Sequence, residues 1–393
     1  MKNQKMSLIN ISILAILSIY IFGAAGGLMN ANIQTSIEAW PLIPASQIRL
    51  INTLPALISL PTMLLVSSQI GKRITYKTSI LIGTVLIILG GVAPFFYAPS
   101  WTFVLAFRVI IGIGAGFYGI RTALLIHTVP KTQRARYLGI SGILGGLSSS
   151  IISPITGRLA EISWRHPFLI NFFPILIGLF IWFGLKENTI IEETQLGQED
   201  VEKEEFFPKQ IILYILLQFI ATMTMYPMLS GISTFMKERA LGSATVAGLV
   251  ISSYLIGVAS IGAILPTAQR LLKRKANATG FMLGAIGQML VLIAPNPITI
   301  FFAAFLCGMG FSLISNTFQL YTARLAHHKK LALSSTLLIF ATQAGVFASN
   351  YFITLSRYLI PTTSEVVSSY YSNVILYSVI GLLTLIISIA PKD

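Results

Sequence analysis

Long apolar runs joined by short polar connections dominate the chain. A helix needs about 20 predominantly apolar residues to cross a hydrocarbon core of about 30 Å. Twelve runs meet that length, at roughly 8–30, 46–70, 77–97, 100–124, 136–160, 167–186, 209–231, 243–267, 277–295, 298–322, 331–356 and 370–391. The pattern predicts an all-α integral membrane protein with twelve transmembrane helices in a lipid bilayer. Lys2 and Lys5 precede the first run in the manner of a secretory leader. That run is longer than an ordinary leader core and eleven more follow, so it reads as the first transmembrane helix.

One stretch breaks the alternation. "KENTIIEETQLGQEDVEKEEFFPK", 186–209, holds eight of the thirteen acidic residues and separates six runs from six. Its composition is that of a solvated linker. Three segments are expected: a six-helix bundle over 1–186, an acidic cytoplasmic linker over 187–208 and a second six-helix bundle over 209–393. The halves echo each other. "SSQIGKRITYK" (67–77) and "LPTAQRLLKRK" (265–275) follow the second and eighth runs, with Lys72 matching Arg270 and Lys77 matching Lys275 at an offset of 198. "GIGAG" (112–116) and "GMGFS" (308–312) stand 196 apart. The shared offset is about half the chain, which predicts two pseudo-symmetric bundles of the kind that rock around a midplane site in transporters.

Charge changes the picture less than its total suggests. The net charge is +14, with 54% hydrophobic and only 10% charged residues, and the mean hydropathy is +0.79. Soluble domains carry about 25% charged residues. Of the 27 lysines and arginines, Arg49, Arg165, Lys237, Arg239 and Arg357 fall on one side of the expected membrane, while Arg108, Arg121 and Arg158 lie inside runs. The remaining 19 lie on the other side, so the positive-inside rule places both termini in the cytoplasm. The excess charge reflects topology and implies no nucleic-acid partner. Cys307 is the single cysteine, which excludes an intrachain disulfide.

Several motifs carry a family resemblance. "FRVIIGIGAG" (107–116) resembles the fourth-helix Arg-x-x-x-Gly-x-Gly-x-Gly motif of the major facilitator superfamily. "SSSIISPITG" (148–157) resembles its fifth-helix Gly/Pro motif, keeping Pro154 and Gly157 but placing Ser149 and Ser153 where glycines are usual. "SWRHPFLINFFP" (163–174) is similar to the start of helix six in bacterial drug exporters. In the loop after helix two, Ser68, Lys72, Thr75 and Tyr76 replace the family's Gly, Asp, Gly and Arg, while Arg73 and Lys77 remain. The resemblance implies a gating role for Lys72, Arg73, Arg270, Pro154 and Gly157. Lys72 cannot close the cytoplasmic side as the family's aspartate does, and Glu202, Glu204 and Glu205 of the linker are candidate substitutes. For Arg108 the resemblance implies either a brace between helices one and four or support for proton coupling.

Candidate chemistry is sparse. No phosphate loop, metal-spaced His/Cys cluster or cofactor motif is present, so neither an enzyme nor a cofactor is expected, and transport would be driven by an existing gradient. His127, His166, His327 and His328 fall at predicted helix ends or loops. No carboxylate lies mid-run, which leaves Glu38 and His127 as candidates for coupling to a proton. Arg121, in "GIRTALLIHT" (119–128), is the informative residue. On a straight helix it aligns with Gly114 and Tyr118, away from the Arg108–Gly112–Gly116 stripe. In the superfamily helices 1, 4, 7 and 10 line the cavity, so Arg121 either faces substrate there or snorkels to the interface. A guanidinium favours carboxylate, sulfonate or phosphate. Tyr118, Tyr20, Met223, Tyr226, Asn316 and Gln319 complete the expected substrate wall.

"IRLINTLPALISLP" (48–61) adds a similarity to permeases of Gram-positive bacteria, among them multidrug exporters and conjugated bile-salt transporters. These features predict a monomeric secondary transporter of the bacterial plasma membrane, working by alternating access on an amphipathic organic anion such as a conjugated bile salt. Alternatives are a proton-coupled multidrug efflux antiporter and a transporter-like sensor or scaffold.

Overall fold

The computed structural model describes residues 2–22, 27–130, 133–186, 208–325 and 328–387. The acidic linker, with Glu202, Glu204 and Glu205, falls outside them, as do Lys131 and His327. The helices in chain order are α1 (Lys2–Ile21), α2 (Ile33–Ala39), α3 (Ala45–Gln69), α4 (Tyr76–Phe96), α5 (Trp101–Tyr118), α6 (Arg121–Thr128), α7 (Arg134–Ile162) and α8 (Pro174–Gly184). The second half contributes α9 (Lys209–Met225), α10 (Pro227–Glu238), α11 (Ala244–Leu272), α12 (Ala276–Ile293), α13 (Pro297–Leu325), α14 (His328–Leu359) and α15 (Glu365–Ile386). Ten helical stretches among the described residues are long and apolar enough to cross a membrane. One of them, Ala244–Ile293, holds both α11 and α12, joined by a 3-10 turn. Adding α1 brings the count to the twelve that the sequence predicts.

Helix ends follow local chemistry. Thr75 and Ser100 cap α4 and α5 by accepting hydrogen bonds from the N–H groups of Thr78 and Phe103, each at 3.2 Å. Pro227 begins α10 and Pro174 begins α8, positions where a missing N–H costs nothing. Three expected runs are corrected. The first ends as α-helix at Ile21 rather than near residue 30, and Gly27–Asn32 form a 3-10 segment. The fourth extends to Thr128 but breaks at Gly119–Ile120. The seventh changes from α9 to α10 at Tyr226–Pro227, because Pro227 cannot continue the hydrogen-bond ladder.

The sequence repeat has a counterpart in packing. A Cβ on Gly114 would lie 2.9 Å from the Gly83 carbonyl oxygen, so α4 and α5 touch backbone to backbone. A Cβ on Gly310 would lie 2.6 Å from the Gly280 carbonyl oxygen, the same crossing between α12 and α13. Each half thus uses one glycine pair to bring its third and fourth spans together, and small residues permit that approach.

By internal contacts the chain divides into two compact units that do not coincide with the sequence halves. Unit 1 comprises 1–26, 57–148 and 168–207; unit 2 comprises 27–56, 149–167 and 208–393. The core of unit 2 runs through α9 to α15 and includes Tyr254, Phe281, Cys307, Phe318 and Tyr377, all nearly inaccessible. Two first-half segments belong to it for reasons that the site geometry supplies.

Candidate functional site

In unit 1 Arg121 follows a two-residue turn, Gly119–Ile120, whose backbone stays in the right-handed helical region. It opens α6, while Tyr118 closes α5. Tyr118 is buried against α4, where its hydroxyl lies 2.8 Å from Thr84 Oγ1, and it does not form an open wall. Arg121 is half-buried. Its guanidinium lies over the ring of Tyr20, 5.3 Å from the centroid, and its Nη1 donates a long 3.5 Å bond to the Tyr118 carbonyl. A cation at that carbonyl favours the C-terminus of α5, and the Tyr20 ring adds a cation–π term. Arg121 Nε is buried and donates to no partner. Among the described residues no carboxylate pairs with this cation. Tyr20 also meets Thr122 at 3.2 Å, so Tyr20, Arg121 and Thr122 form one polar group in an apolar unit.

The other unit 1 candidates separate. Arg108 is fully buried in α5, on the stripe with Gly112 and Gly116. His127 is half-buried at the end of α6, its ring 6.0 Å from Tyr76. Lys72 and Arg73 are exposed in the turn between α3 and α4, which Gly71 makes possible with a φ of 76°.

In unit 2, Met223 and Tyr226 are half-buried around the α9–α10 junction. Asn316 is half-buried, but its amide turns back to Ser312 on its own helix, donating to the carbonyl at 2.8 Å and to Oγ at 3.0 Å. Gln319 is exposed, as is Arg270. The stronger polar cluster is one that the sequence reading passed over. Buried Gln218 Nε2 lies 3.0, 3.1 and 3.2 Å from the hydroxyls of Ser315, Thr342 and Thr222, which share its two N–H groups, tying α13 and α14 to α9.

The most charged region lies at the end of unit 2 remote from the Lys273–Lys275 turn. All four carboxylates among the described residues are here: Glu38, Glu161, Glu238 and Glu365. Three of them link first-half helix ends to second-half helices. Glu365 takes Arg49 at 3.3 Å and Arg357 at 3.9 Å. Glu38 pairs with Lys237 at 3.0 Å. Glu161 accepts the Thr245 N–H at 3.0 Å at the start of α11 and pairs with Arg158 at 2.9 Å. A carboxylate there complements the helix dipole and satisfies an orphan donor. Asn350 donates to the Ser46 carbonyl at 2.6 Å, and Ser252 donates to the Ser150 carbonyl. Gly157 and Gly248 complete the closure. A Cβ on Gly248 would lie 2.7 Å from Pro154 Cα, and one on Gly157 would run into the Ala244 carbonyl. These links explain why 27–56 and 149–167 cluster with the second half.

Their strengths differ. Lys237 and Glu38 are 62% and 44% exposed, so that pair contributes about 0–1 kcal/mol. Arg49 is 3% exposed, and a buried cation deprived of its carboxylate costs several times more. Burial raises the Glu38 pKa, but the Gln34 amide and the Lys237 ammonium outweigh it and hold the carboxyl below its ordinary value. Its contribution to closure is therefore present above the ordinary carboxylate range and is lost only as pH falls through the lowered value. Glu38→Gln is expected to leave the pH profile of transport unchanged between about pH 5 and 8. Loss of an acidic limb in that window would instead make Glu38 the proton carrier.

Comparison with known proteins then fixes the family. The Major Facilitator Superfamily profile matches residues 7–350. The chain belongs to this superfamily. It is 32% identical over 141 residues to the rubrofusarin-specific efflux pump of Gibberella zeae, covering 34% of this chain and 25% of the pump. It is 26% identical over 237 residues to an efflux pump of Hypomyces subiculosus, covering 58% of this chain and 40% of that one. The chain spans about half the length, or less, of the curated relatives it matches. Among solved structures, a bacterial homologue of the human lysosomal transporter Spinster superposes with a TM-score of 0.70 at 14% identity, covering 97% of this chain and 95% of the other. The nucleoside transporter NupG gives 0.75 at 9% identity, covering 96% and 98%. These two show the fold alone.

Superfamily membership places the chain with transporters, not enzymes, and makes it a multi-pass membrane protein of the twelve-helix, two-domain fold. Within that fold, Pro154 and Gly157 lie where α7 meets α11, and Arg108 lies inside unit 1.

Proposed function

We propose that this member of the superfamily is a secondary transporter of an amphipathic organic anion, with Arg121 as the charge partner of the substrate. The observation that carries the reading is the half-buried guanidinium, lying over Tyr20 with no carboxylate partner among the described residues and with a free Nε. A cation kept in an apolar segment at a cost of several kcal/mol implies a use, and its fork of donors suits a carboxylate or sulfonate. A conjugated bile salt is one molecule of that class. The proposed topology puts both termini in the cytoplasm of a bacterial plasma membrane. Two six-helix halves, 1–186 and 209–393, alternate access around the substrate in a monomer. On that orientation the interlocked end of unit 2 is the closed outer side.

The named efflux pumps among the relatives favour a second reading, proton-coupled export of hydrophobic drugs. Counterflow in proteoliposomes separates the two. Taurocholate exchange is expected in the wild type, with Arg121→Ala reducing apparent affinity about 10- to 100-fold and Arg121→Lys keeping part of it, as for a charged hydrogen bond worth about 1.5–3 kcal/mol. Exchange of lipophilic cations that ignores both substitutions would give the drug-export reading precedence. Any substrate flux excludes a pure sensor.

A further inference from the structure

Where α11 gives way to α12, the second half carries a cavity of about 910 Å³. Five cations line it, Arg270, Lys273, Arg274 and Lys275 from the turn and Arg324 from α13, together with the buried ring of Tyr321. No Asp or Glu occurs anywhere between Arg239 and Ser364, so neither helix that forms the cavity supplies a counter-charge. The backbone holds the cations in place at some cost. Lys273 has φ 47° and ψ −122°, a conformation that a residue with a side chain rarely adopts, and its carbonyl accepts a bond from the Tyr321 hydroxyl at 3.5 Å. Next to the cations the lining is apolar, with Leu265 and Leu320 on the walls and Leu271 73% exposed.

We propose that this cavity binds the phosphate headgroup of an anionic glycerophospholipid, with the acyl chains lying along Leu265 and Leu271. Cations in a recess suit phosphate oxygens. The leucines beside them suit a ligand anchored in the bilayer rather than a free anion. The orientation proposed above puts the cavity at the cytoplasmic leaflet, where basic clusters meet anionic lipid. The site is independent of Arg121 and of the transported substrate.

The test uses the purified full-length protein and native mass spectrometry with phosphatidylglycerol, phosphatidylcholine and inorganic pyrophosphate. Phosphatidylglycerol is expected to bind about tenfold more tightly than phosphatidylcholine. Arg274→Gln with Arg324→Gln, both exposed residues, should abolish that preference. Lys329→Gln with Lys330→Gln removes the same charge elsewhere in the sequence and should preserve it. Equal losses in the two double variants would mean a diffuse basic surface and overturn the site. Pyrophosphate binding that depends on Arg274 and Arg324, without any preference for phosphatidylglycerol, would overturn the lipid assignment in favour of a soluble phosphate.

Discussion

Glu365→Gln is expected to raise the rate at which maleimide modifies a cysteine placed at Ala31 by about 10- to 100-fold. Ala31 is 1% exposed and packs in the core of unit 2, so it reacts only when the interlocked end opens. The single native cysteine, Cys307, is itself buried and adds no background. The asymmetry of the cluster sets the magnitude. Removing Glu365 leaves Arg49, which is 3% exposed, without a carboxylate at ion-pairing distance among the described residues and with only the weaker field of Glu238. Removing Arg49 leaves Glu365, 28% exposed, still beside Arg357 at 3.9 Å. Arg49→Gln should therefore open the end less than Glu365→Gln does. Equal labelling of wild type and Glu365→Gln would mean that the pair contributes nothing to closure. Glu38→Gln serves as a control, since its exposed bridge should change the rate by less than about fivefold.

The second large effect comes from backbone contact. Gly157→Val should prevent closure and reduce transport at least tenfold, as expected for an overpacked contact costing about 1–3 kcal/mol or more. A Cβ at Gly157 would meet the Ala244 carbonyl and come within 2.8 Å of Thr245 Cα, and neither backbone can rotate aside as a flexible side chain would. Gly157→Ala makes the argument sharper. Alanine improves the intrinsic stability of a helix by about 1 kcal/mol, so a generic effect would stabilise α7. Faster Ala31→Cys labelling in Gly157→Ala, with helical content unchanged, would isolate the contact between α7 and α11. Unchanged labelling in both variants would show that the helices have room to part.

Local chemistry made most of the fold legible. Apolar length gave the spans, and the repeated GxG spacing falls at the Gly114–Gly83 and Gly310–Gly280 crossings. Pro227 lies inside a run that reads as one span, so its mark of the change between α9 and α10 goes unused. The break at Gly119–Ile120 carried no such mark. A single glycine in an apolar run is equally at home inside a membrane helix, so the run reads as one uninterrupted helix. The interlock was less legible still. Arg49 and Glu365 are 316 residues apart, and nothing local joins them. A signal did exist: outside the linker the chain has five carboxylates, so Glu365 beside a membrane-facing run was worth pairing with one of the few cations on its side. Gln218 lay within a stretch noted for its methionines. One amide in an apolar helix gives no sign, from sequence alone, of the three hydroxyls that converge on it.

The proposed role of Arg121, which has no carboxylate partner among the described residues, has an electrical consequence. Glu365 and Glu38 at the interlocked end each sit beside a cation, whereas alternating access as proposed would carry the positive charge of Arg121 through part of the membrane field. On the proposed function a bound monoanion would cancel that charge, and voltage would act on the return of the empty protein rather than on its loaded step. A full crossing by one charge is worth about 2.3 kcal/mol per 100 mV. If the substrate is the proposed anion, in a cell whose interior is negative that work would drive it outward when uncoupled, and its accumulation inside the cell would require a co-transported cation.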